Sequence, residues 1–374
     1  MKASADDNVI SFAGGLPNPH YFPLEEVREA SNKVLAGNDR NALQYSTTEG
    51  FLPLREFIAA RLTKNRGFHV DPDDILITNG SQQGLDLLGK TFLNPGDGVV
   101  MERPGYLGAI QAFSMFEPRF YSVPLLEEGP EIASVQEIIK KYAPKLFYVV
   151  PNFQNPSGIT HNMDNRRQLA NVLKEASTIL VEDDPYGELR FIGHDLPAIK
   201  SILPQKTIYL GSFSKIVAPA MRLGWICAPP QIMDKLIIAK QAADLHSNFF
   251  AQQVVNQFLN DNNLDEHIAR IRAAYGQQRN YMVKMIEKYF PPEISITRPE
   301  GGMFLWAALP DGMSSLELFN LAAKNNVVFV PGNPFYVDGG GNSTLRLNYT
   351  NCDEATIEEG VIRLAQAIKT LMAK

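Results

Sequence analysis

Along the first two thirds of the chain, short β-branched and aromatic runs recur, and each stops at a polar or Gly/Pro cluster. "ILITNG" (75–80) reads as a buried strand, and "SQQGLDLLGKTFL" (81–93) as the helix after it, with Leu85, Leu88 and Phe92 on one face. "GVVMERPGY" (98–106), "KLFYVVPNF" (145–153), "TILVEDDPY" (178–186) and "TIYLGSFSK" (207–215) repeat the theme, with helical patterns such as "NRRQLANVLKEA" (165–176) between several of them. Strands alternating with helices predict an α/β fold with a mostly parallel, doubly wound sheet. Ligands of such sheets sit beyond the carboxyl ends of the strands, so the polar clusters there are expected to converge on one crevice.

The last third changes character. A long helical pattern from about Leu264 to Tyr289 leads into "ISITRPEGGMFLWAAL", "NVVFVPG" and "TLRLNYT". A closing helix, "DEATIEEGVIRLAQAIKTLMA", follows with Asp353 placed to cap it. The expected organisation is a large domain over 41–265 and a linking helix with a small α+β domain over 266–374. An N-terminal segment, 1–40, contributes to the small domain and to the edge of the site. The glycine run at 339–341 lacks the GK[ST] ending of a nucleotide-binding loop and reads as a turn.

Composition narrows the function classes. The 374 residues are 45% hydrophobic, enough for a large core and two domains. A net charge of -6 without a basic block argues against nucleic acid as the main partner. No apolar run approaches the ~20 residues of a membrane span, and "MKASADDNVISFAGG" lacks the apolar core of a signal peptide. Cys227 and Cys352 form no CxxC pattern, and the histidines form no HxH or HxxxH pair. The expectation is a cytoplasmic globular protein with neither a disulfide framework nor a metal-ligand motif.

Four clusters carry candidate chemistry. In "LGSFSKIVAPAMRLGW" (210–225) an apolar strand runs into Ser212, Ser214, Lys215 and Arg222, two of them cationic, with no acidic partner nearby. A lysine in an apolar crevice has a lowered pKa and readily forms a Schiff base, and Arg222 can bind an anion bidentately. The plain alternative is a pair of surface charges on a loop. Gly80-Ser81-Gln82-Gln83 enters a helix, where free N–H groups favour an anion, although Ser81 also reads simply as an N-cap. Glu182-Asp183-Asp184 is either a divalent-metal site or a solvated turn, unless Asp183 stays in the cleft to pair with a pyridine nitrogen, with Tyr186 three residues on. Asn155-Pro156-Ser157-Gly158 is a common turn that also brings an amide to the same place.

Together these clusters hold every part that pyridoxal 5'-phosphate needs: an amine for its aldehyde, an acid for its ring nitrogen, polar groups for its ring oxygen, phosphate donors, and Tyr106 for the ring face. The chain resembles the fold type I pyridoxal-phosphate-dependent aminotransferases. It is most similar to the branch of 2-aminoadipate/kynurenine aminotransferases and the bacterial lysine-biosynthesis aminotransferase. "ISFAGGLPNPHYFP", "LQYSTTEGFLPLR", "TNGSQQGLDL", "NFQNPSG", "VEDDPYGELRF", "GSFSKIVAPAMRLGW", "RPEGGMF" and "TLRLNY" match in order, across nearly the whole chain.

The resemblance implies roles. Lys215 would carry the Schiff base and move the proton at the substrate Cα. Asp183 would pair with the ring nitrogen, Asn155 and Tyr186 would contact the ring oxygen, and Tyr106 would stack on the ring. Ser81, Gln82, Ser212, Ser214 and Arg222 would hold the phosphate, with Tyr45 reaching in from the second subunit of a homodimer. Arg346 would clamp the substrate α-carboxylate with Asn155 and the backbone at Gly15. The implied reaction is ping-pong transamination between an L-amino acid and 2-oxoglutarate. A lyase on the same fold and an effector-sensing regulator domain are the competing readings.

Members of this branch usually carry about one further helix ahead of "SFAGGLP" that covers the pocket. Only Met1 to Ile10 precede it here, so that lid is expected to be truncated or absent, with no room for a DNA-binding winged helix. The side-chain pocket is expected to include Tyr21, Phe22 and Tyr106 and to offer no second arginine. Aromatic, long aliphatic and 2-aminoadipate-like donors are the expected substrates.

Overall fold

The computed structural model describes residues 8–37 and 40–374, so residues 1–7 and 38–39 of the expected N-terminal segment lie outside the described residues. Strand β1 (Ile10–Ser11) pairs in parallel with β12 (Val327–Val328), which joins the N-terminal residues to the C-terminal part of the chain.

The central sheet contains β2 (Ile75–Thr78), β3 (Gly98–Arg103), β4 (Arg119–Leu126), β5 (Gly129–Pro130), β6 (Leu146–Val149), β7 (Ile179–Asp183), β8 (Thr207–Ser212) and β9 (Gly224–Cys227). Their order across the sheet is β2-β9-β8-β7-β6-β3-β4-β5. The pairs from β8 through to β4 are parallel, while β9 runs antiparallel to both neighbours and β5 antiparallel to β4. A parallel sheet covered on both faces needs continuous apolar strands, and β6 (LFYV) and β8 (TIYLGS) are buried throughout.

Strand alternation sends successive side chains to opposite faces. Met101, Tyr148 and Val181 pack on one face with Leu85 and Leu88 of the helix Ser81–Phe92. Val100, Phe147 and Leu180 pack on the other with Leu169 and Leu173 of the helix Met163–Lys174. The expected doubly wound α/β architecture is present.

A second sheet, order β10-β11-β14-β13, is antiparallel and consists of β10 (Ser295–Ile296), β11 (Phe304–Ala308), β13 (Val330–Pro331) and β14 (Thr344–Asn348). The helix Leu264–Tyr289 links the two sheets along the chain. The closing helix Glu354–Met372 is capped by Asp353, whose carboxylate accepts the Thr356 N–H at 2.8 Å. The glycine run at 339–341 is a turn, with Gly339 and Gly341 in the left-handed region.

Candidate active site

A cleft of about 770 Å³ opens where β6, β7 and β8 end. Asp183, Lys215, Tyr106, Tyr186, Arg222 and Arg346 all line it.

The three adjacent carboxylates go three ways. Glu182 alternates to the far face of β7 and accepts the backbone N–H groups of Ile199 and Lys200 at 2.9 and 2.8 Å. Asp184 lies past the strand end, 2.8 Å from Arg66 Nε, and also accepts from Asn152 and the Tyr209 hydroxyl. Burial alone would raise its pKa, but Arg66 and these donors hold it below the usual value. Asp183 is left facing the cleft. Its Oδ2 accepts the Tyr148 hydroxyl at 2.7 Å, while its Oδ1 is buried without a partner. Burial pushes this carboxyl up to about 7, against the opposing pull of the Tyr148 bond. The divergence leaves no shared metal position, and among the described residues no cluster of three such side chains is placed to hold a metal.

Lys215 ends a single 3-10 turn, Phe213–Lys215, that follows β8. Ser212 caps this turn by accepting the Ser214 N–H at 3.1 Å. Lys215 Nζ reaches across to donate to the Gly15 carbonyl at 3.1 Å. Burial, with Arg346 and Arg222 adding positive potential, lowers its pKa to about 8.

Arg222 adopts a left-handed backbone (φ 51°) and lays its Nη2 on the Asn79 carbonyl at 3.1 Å. That places the guanidinium against Gly80, where a Cβ would stand 2.6 Å from Nη2 and φ is +75°. The positive φ favours glycine there, and an added Cβ would also push the guanidinium aside. The structure corrects the capping alternative for Ser81: Gly80 occupies the N-cap and Ser81 is the first helical residue, with no side-chain cap bond. Ser81 therefore stands at the helix start facing the cleft, next to Arg222, Ser212 and Ser214. Gln82 also lines the cleft, but its amide nitrogen is engaged with the Gly108 carbonyl at 2.7 Å.

Arg346 arrives on β14. Its Nη1 donates to Asn155 Oδ1 and its Nη2 to the Ala13 carbonyl, both at 2.8 Å, while Nε is buried without a partner. The guanidinium lies 4.2 Å from the Phe304 ring centroid, in cation–π range. Asn155 in turn places its Nδ2 3.5 Å from the Tyr186 hydroxyl. Tyr106 lines the cleft half-buried, its phenol pushed up to about 12 by burial and by Asp183.

Some expected residues lie elsewhere. Tyr45 is 78% exposed, stands edge-on to His246 and does not line the cleft of its own chain. Tyr21 packs edge-on against Tyr275, and neither it nor Phe22 lines the cleft, which corrects that expectation. The apolar wall is formed instead by Leu16, Phe319, Phe329 and Phe335. Sequence reasoning missed these because nothing local distinguishes them from core residues: Leu16 lies within the "ISFAGGLPNPHYFP" motif and Phe329 within "NVVFVPG", and only tertiary packing brings them to the cleft. It also missed Tyr148, although a tyrosine inside a buried strand signals a hydroxyl that must find a partner.

Residues 8–364 match the family described as aminotransferase class I and II. The chain belongs to that family. It is 43% identical to the 2-aminoadipate transaminase of Thermus thermophilus, over 100% of this chain and 93% of that protein. It is 42% identical to aromatic-amino-acid aminotransferase 1 of Thermococcus litoralis, over 100% of this chain and 91% of that one. Among solved structures, the α-aminoadipate aminotransferase of Thermus thermophilus, complexed with N-(5'-phosphopyridoxyl)-L-leucine, superposes with a TM-score of 0.93 at 43% identity, covering 98% of this chain and 94% of that one.

The fold type I architecture, the aminotransferase class and pyridoxal 5'-phosphate as cofactor, all implied by the sequence resemblance, are borne out. The site fits the group on its own terms. A buried carboxylate oxygen without a donor suits a protonated ring nitrogen, and a depressed lysine suits an aldehyde.

Proposed function

We propose that this aminotransferase moves the amino group of an L-amino acid to 2-oxoglutarate by a two-stage, ping-pong reaction. One observation carries the reading. A buried carboxylate oxygen (Asp183 Oδ1) and a buried guanidinium nitrogen (Arg346 Nε), both unpartnered, share one cleft with a lysine whose pKa is lowered to about 8.

When bound, the cofactor supplies an electron sink for the pair released at the substrate Cα. The chain's residues do the rest. Lys215 would hold the group at its aldehyde carbon, and its amine is the base placed to carry the proton at the substrate Cα. Its lowered pKa gives it a far larger neutral fraction near physiological pH than an ordinary lysine has, as a base requires. Asp183 holds the ring nitrogen protonated, Asn155 and Tyr186 contact the ring oxygen, and Tyr106 covers the ring face. Ser81, Gln82, Ser212, Ser214 and Arg222 hold the phosphate. Arg346 grips the α-carboxylate, assisted by Asn155 and the backbone at Gly15. A fixed carboxylate favours transamination over its loss as carbon dioxide.

The cations among the described cleft-lining residues are Lys215, Arg222 and Arg346, and each already has a task. The remaining wall of Leu16, Phe319, Phe329 and Phe335 suits aromatic and long aliphatic side chains. Ser11 and Gln111 are polar cleft-lining side chains left for a distal carboxylate, such as that of 2-aminoadipate. The 43% identical 2-aminoadipate transaminase and the 42% identical aromatic enzyme support this breadth.

The active unit is a homodimer. Leu43, Tyr45 and Leu245 are more than half exposed, and apolar exposure of this kind marks an interface. Tyr45 would complete the phosphate site of the second subunit. The reading also divides the chain into a large domain (41–265), holding the eight-stranded sheet, a small one (266–374), holding the four-stranded sheet, and an N-terminal segment (1–40) at the site edge.

Mixing holoenzyme with one donor and no acceptor tests the reading. The expected result is one equivalent of 2-oxo acid per site with conversion of the cofactor to its aminated form. Release of ammonia or carbon dioxide instead would make the protein a lyase or decarboxylase. An unchanged cofactor spectrum with bound amino acid would make it a sensor.

A further inference from the structure

Tyr148 and Asp183 stand on neighbouring strands of the central sheet. In the β6–β7 register Tyr148 is opposite Val181, so Asp183 lies one alternation further along the same face. The Tyr148 ring is fully buried, with Phe113 edge-on at 6.1 Å between centroids. Its hydroxyl donates to Asp183 Oδ2 at 2.7 Å, and the other oxygen, Oδ1, is buried and without a donor. A half-turn of the carboxylate only exchanges its two equivalent oxygens, whereas any other rotation would break this bond. Tyr148 therefore fixes the orientation in which one oxygen is held by the phenol and the other is left for a ligand.

We propose that Tyr148 is a positioning residue for the cofactor: its hydrogen bond holds the Asp183 carboxylate in the orientation that leaves one oxygen for the ring nitrogen. The proposal rests on Asp183 pairing with that nitrogen, as argued above. Other groups bear on Asp183 from the elements around it. Asp184, next on the chain, is neutralised by Arg66, and Tyr106 and Tyr186 feel the Asp183 charge across the cleft. None of these is hydrogen-bonded to Asp183, so the Tyr148 donor is what offsets burial, which drives the carboxyl toward its neutral form. A neutral carboxyl would present a proton, or an uncharged acceptor, where the protonated ring needs an anion. The Tyr148 phenol is itself held well above its ordinary pKa by burial and by Asp183, so it remains a donor across the working pH range.

The experiment measures binding of two cofactors to the apoenzyme: pyridoxal phosphate and its analogue with a CH group in place of the ring nitrogen. Wild type should prefer the natural cofactor. Tyr148→Phe removes one oxygen and retains the ring. It should weaken pyridoxal phosphate binding about 10-fold, the scale of one hydrogen bond to a charged group, and leave the analogue unaffected. In an Asp183→Asn background the same substitution should alter neither affinity, and this double variant removes the buried charge that could unfold the single one. Equal weakening of both ligands would reduce Tyr148 to a packing role and overturn the proposal, as would no weakening of either. If Asp183→Asn alone kept the preference for the ring nitrogen, the reading of Asp183 itself would fail, a distinguishable result.

Discussion

Arg346 Nη1 donates to Asn155 Oδ1 at 2.8 Å, joining β14 of the antiparallel sheet to the loop that follows β6 of the central one. The bond ties together two cleft-lining groups that come from distant parts of the chain. With Oδ1 occupied by the arginine, Asn155 is left to present its Nδ2, which lies near the Tyr186 hydroxyl. The guanidinium is itself braced by the Ala13 carbonyl and the Phe304 ring, and it keeps Nε for a ligand. An anion arriving there meets a fixed fork.

Replacing this arginine should therefore affect every substrate alike. Arg346→Ala is expected to weaken kcat/KM for aromatic, aliphatic and dicarboxylic donors by a similar factor. Losing one partner of a buried, hydrogen-bonded charge pair costs on the order of 2–5 kcal/mol. A donor series compared with wild type checks it. A loss confined to dicarboxylic donors would make Arg346 the reader of the side chain.

Asp183 trades stability for function. Its folded pKa of about 7 lies above the unfolded 3.8, so between those values the folded apoenzyme binds more protons than the unfolded chain. The contribution of this group to apoenzyme stability therefore falls as pH rises through that window. Asp183→Asn should make the apoenzyme more resistant to urea than wild type above about pH 7, yet slow Cα deprotonation by roughly 10²–10³-fold. Wild-type turnover in this variant would pass the role to Glu182 or Asp184, against their engagement with the Ile199–Lys200 backbone and Arg66.

Much of this was legible in the sequence. Apolar runs with helical patterns between several of them give the mostly parallel sheet, and their polar ends give the crevice, because both follow from local pattern. Lys215, Arg222 and Arg346 were visible as cations at the ends of, or within, apolar runs. Asp183 was singled out from Glu182 and Asp184 by the resemblance, but the physical reason was not visible, since it depends on Arg66 and the 199–200 backbone arriving from elsewhere in the chain. The apolar wall was misjudged for the same reason. Tyr21 reads like Phe319 in isolation, and only tertiary packing turns the first toward Tyr275 and the second into the cleft.

Tyr45 tests the subunit arrangement. Hybrid dimers formed from Lys215→Ala and Tyr45→Phe chains contain one site that keeps its lysine. If Tyr45 acts across the interface, that site receives an intact Tyr45 from the lysine-free chain. Its cofactor affinity should then recover from the loss of about 10-fold expected for Tyr45→Phe homodimers, the scale of one bond to a charged phosphate. An unrecovered affinity would place Tyr45 in its own chain's site.

Lys215 should be recognisable by its acidity. An ordinary lysine titrates near 10.5, whereas burial and the fields of Arg346 and Arg222 lower this one to about 8. Only the neutral amine attacks an aldehyde, so covalent capture of pyridoxal phosphate by the apoenzyme should rise about tenfold per pH unit and level off near pH 8. Between pH 8 and 10.5 the unfolded chain holds this proton and the folded one does not, so the lysine adds stability as pH rises across that window. Lys215→Met should abolish both effects. Borohydride reduction of the captured complex, followed by peptide mass analysis, should find the phosphopyridoxyl group on Lys215. Lys215→Ala should still bind the cofactor through the phosphate contacts but lose turnover. A capture midpoint near the ordinary 10.5 would mean that the lysine which reacts is an exposed one, and the assignment of the whole cleft would fall with it.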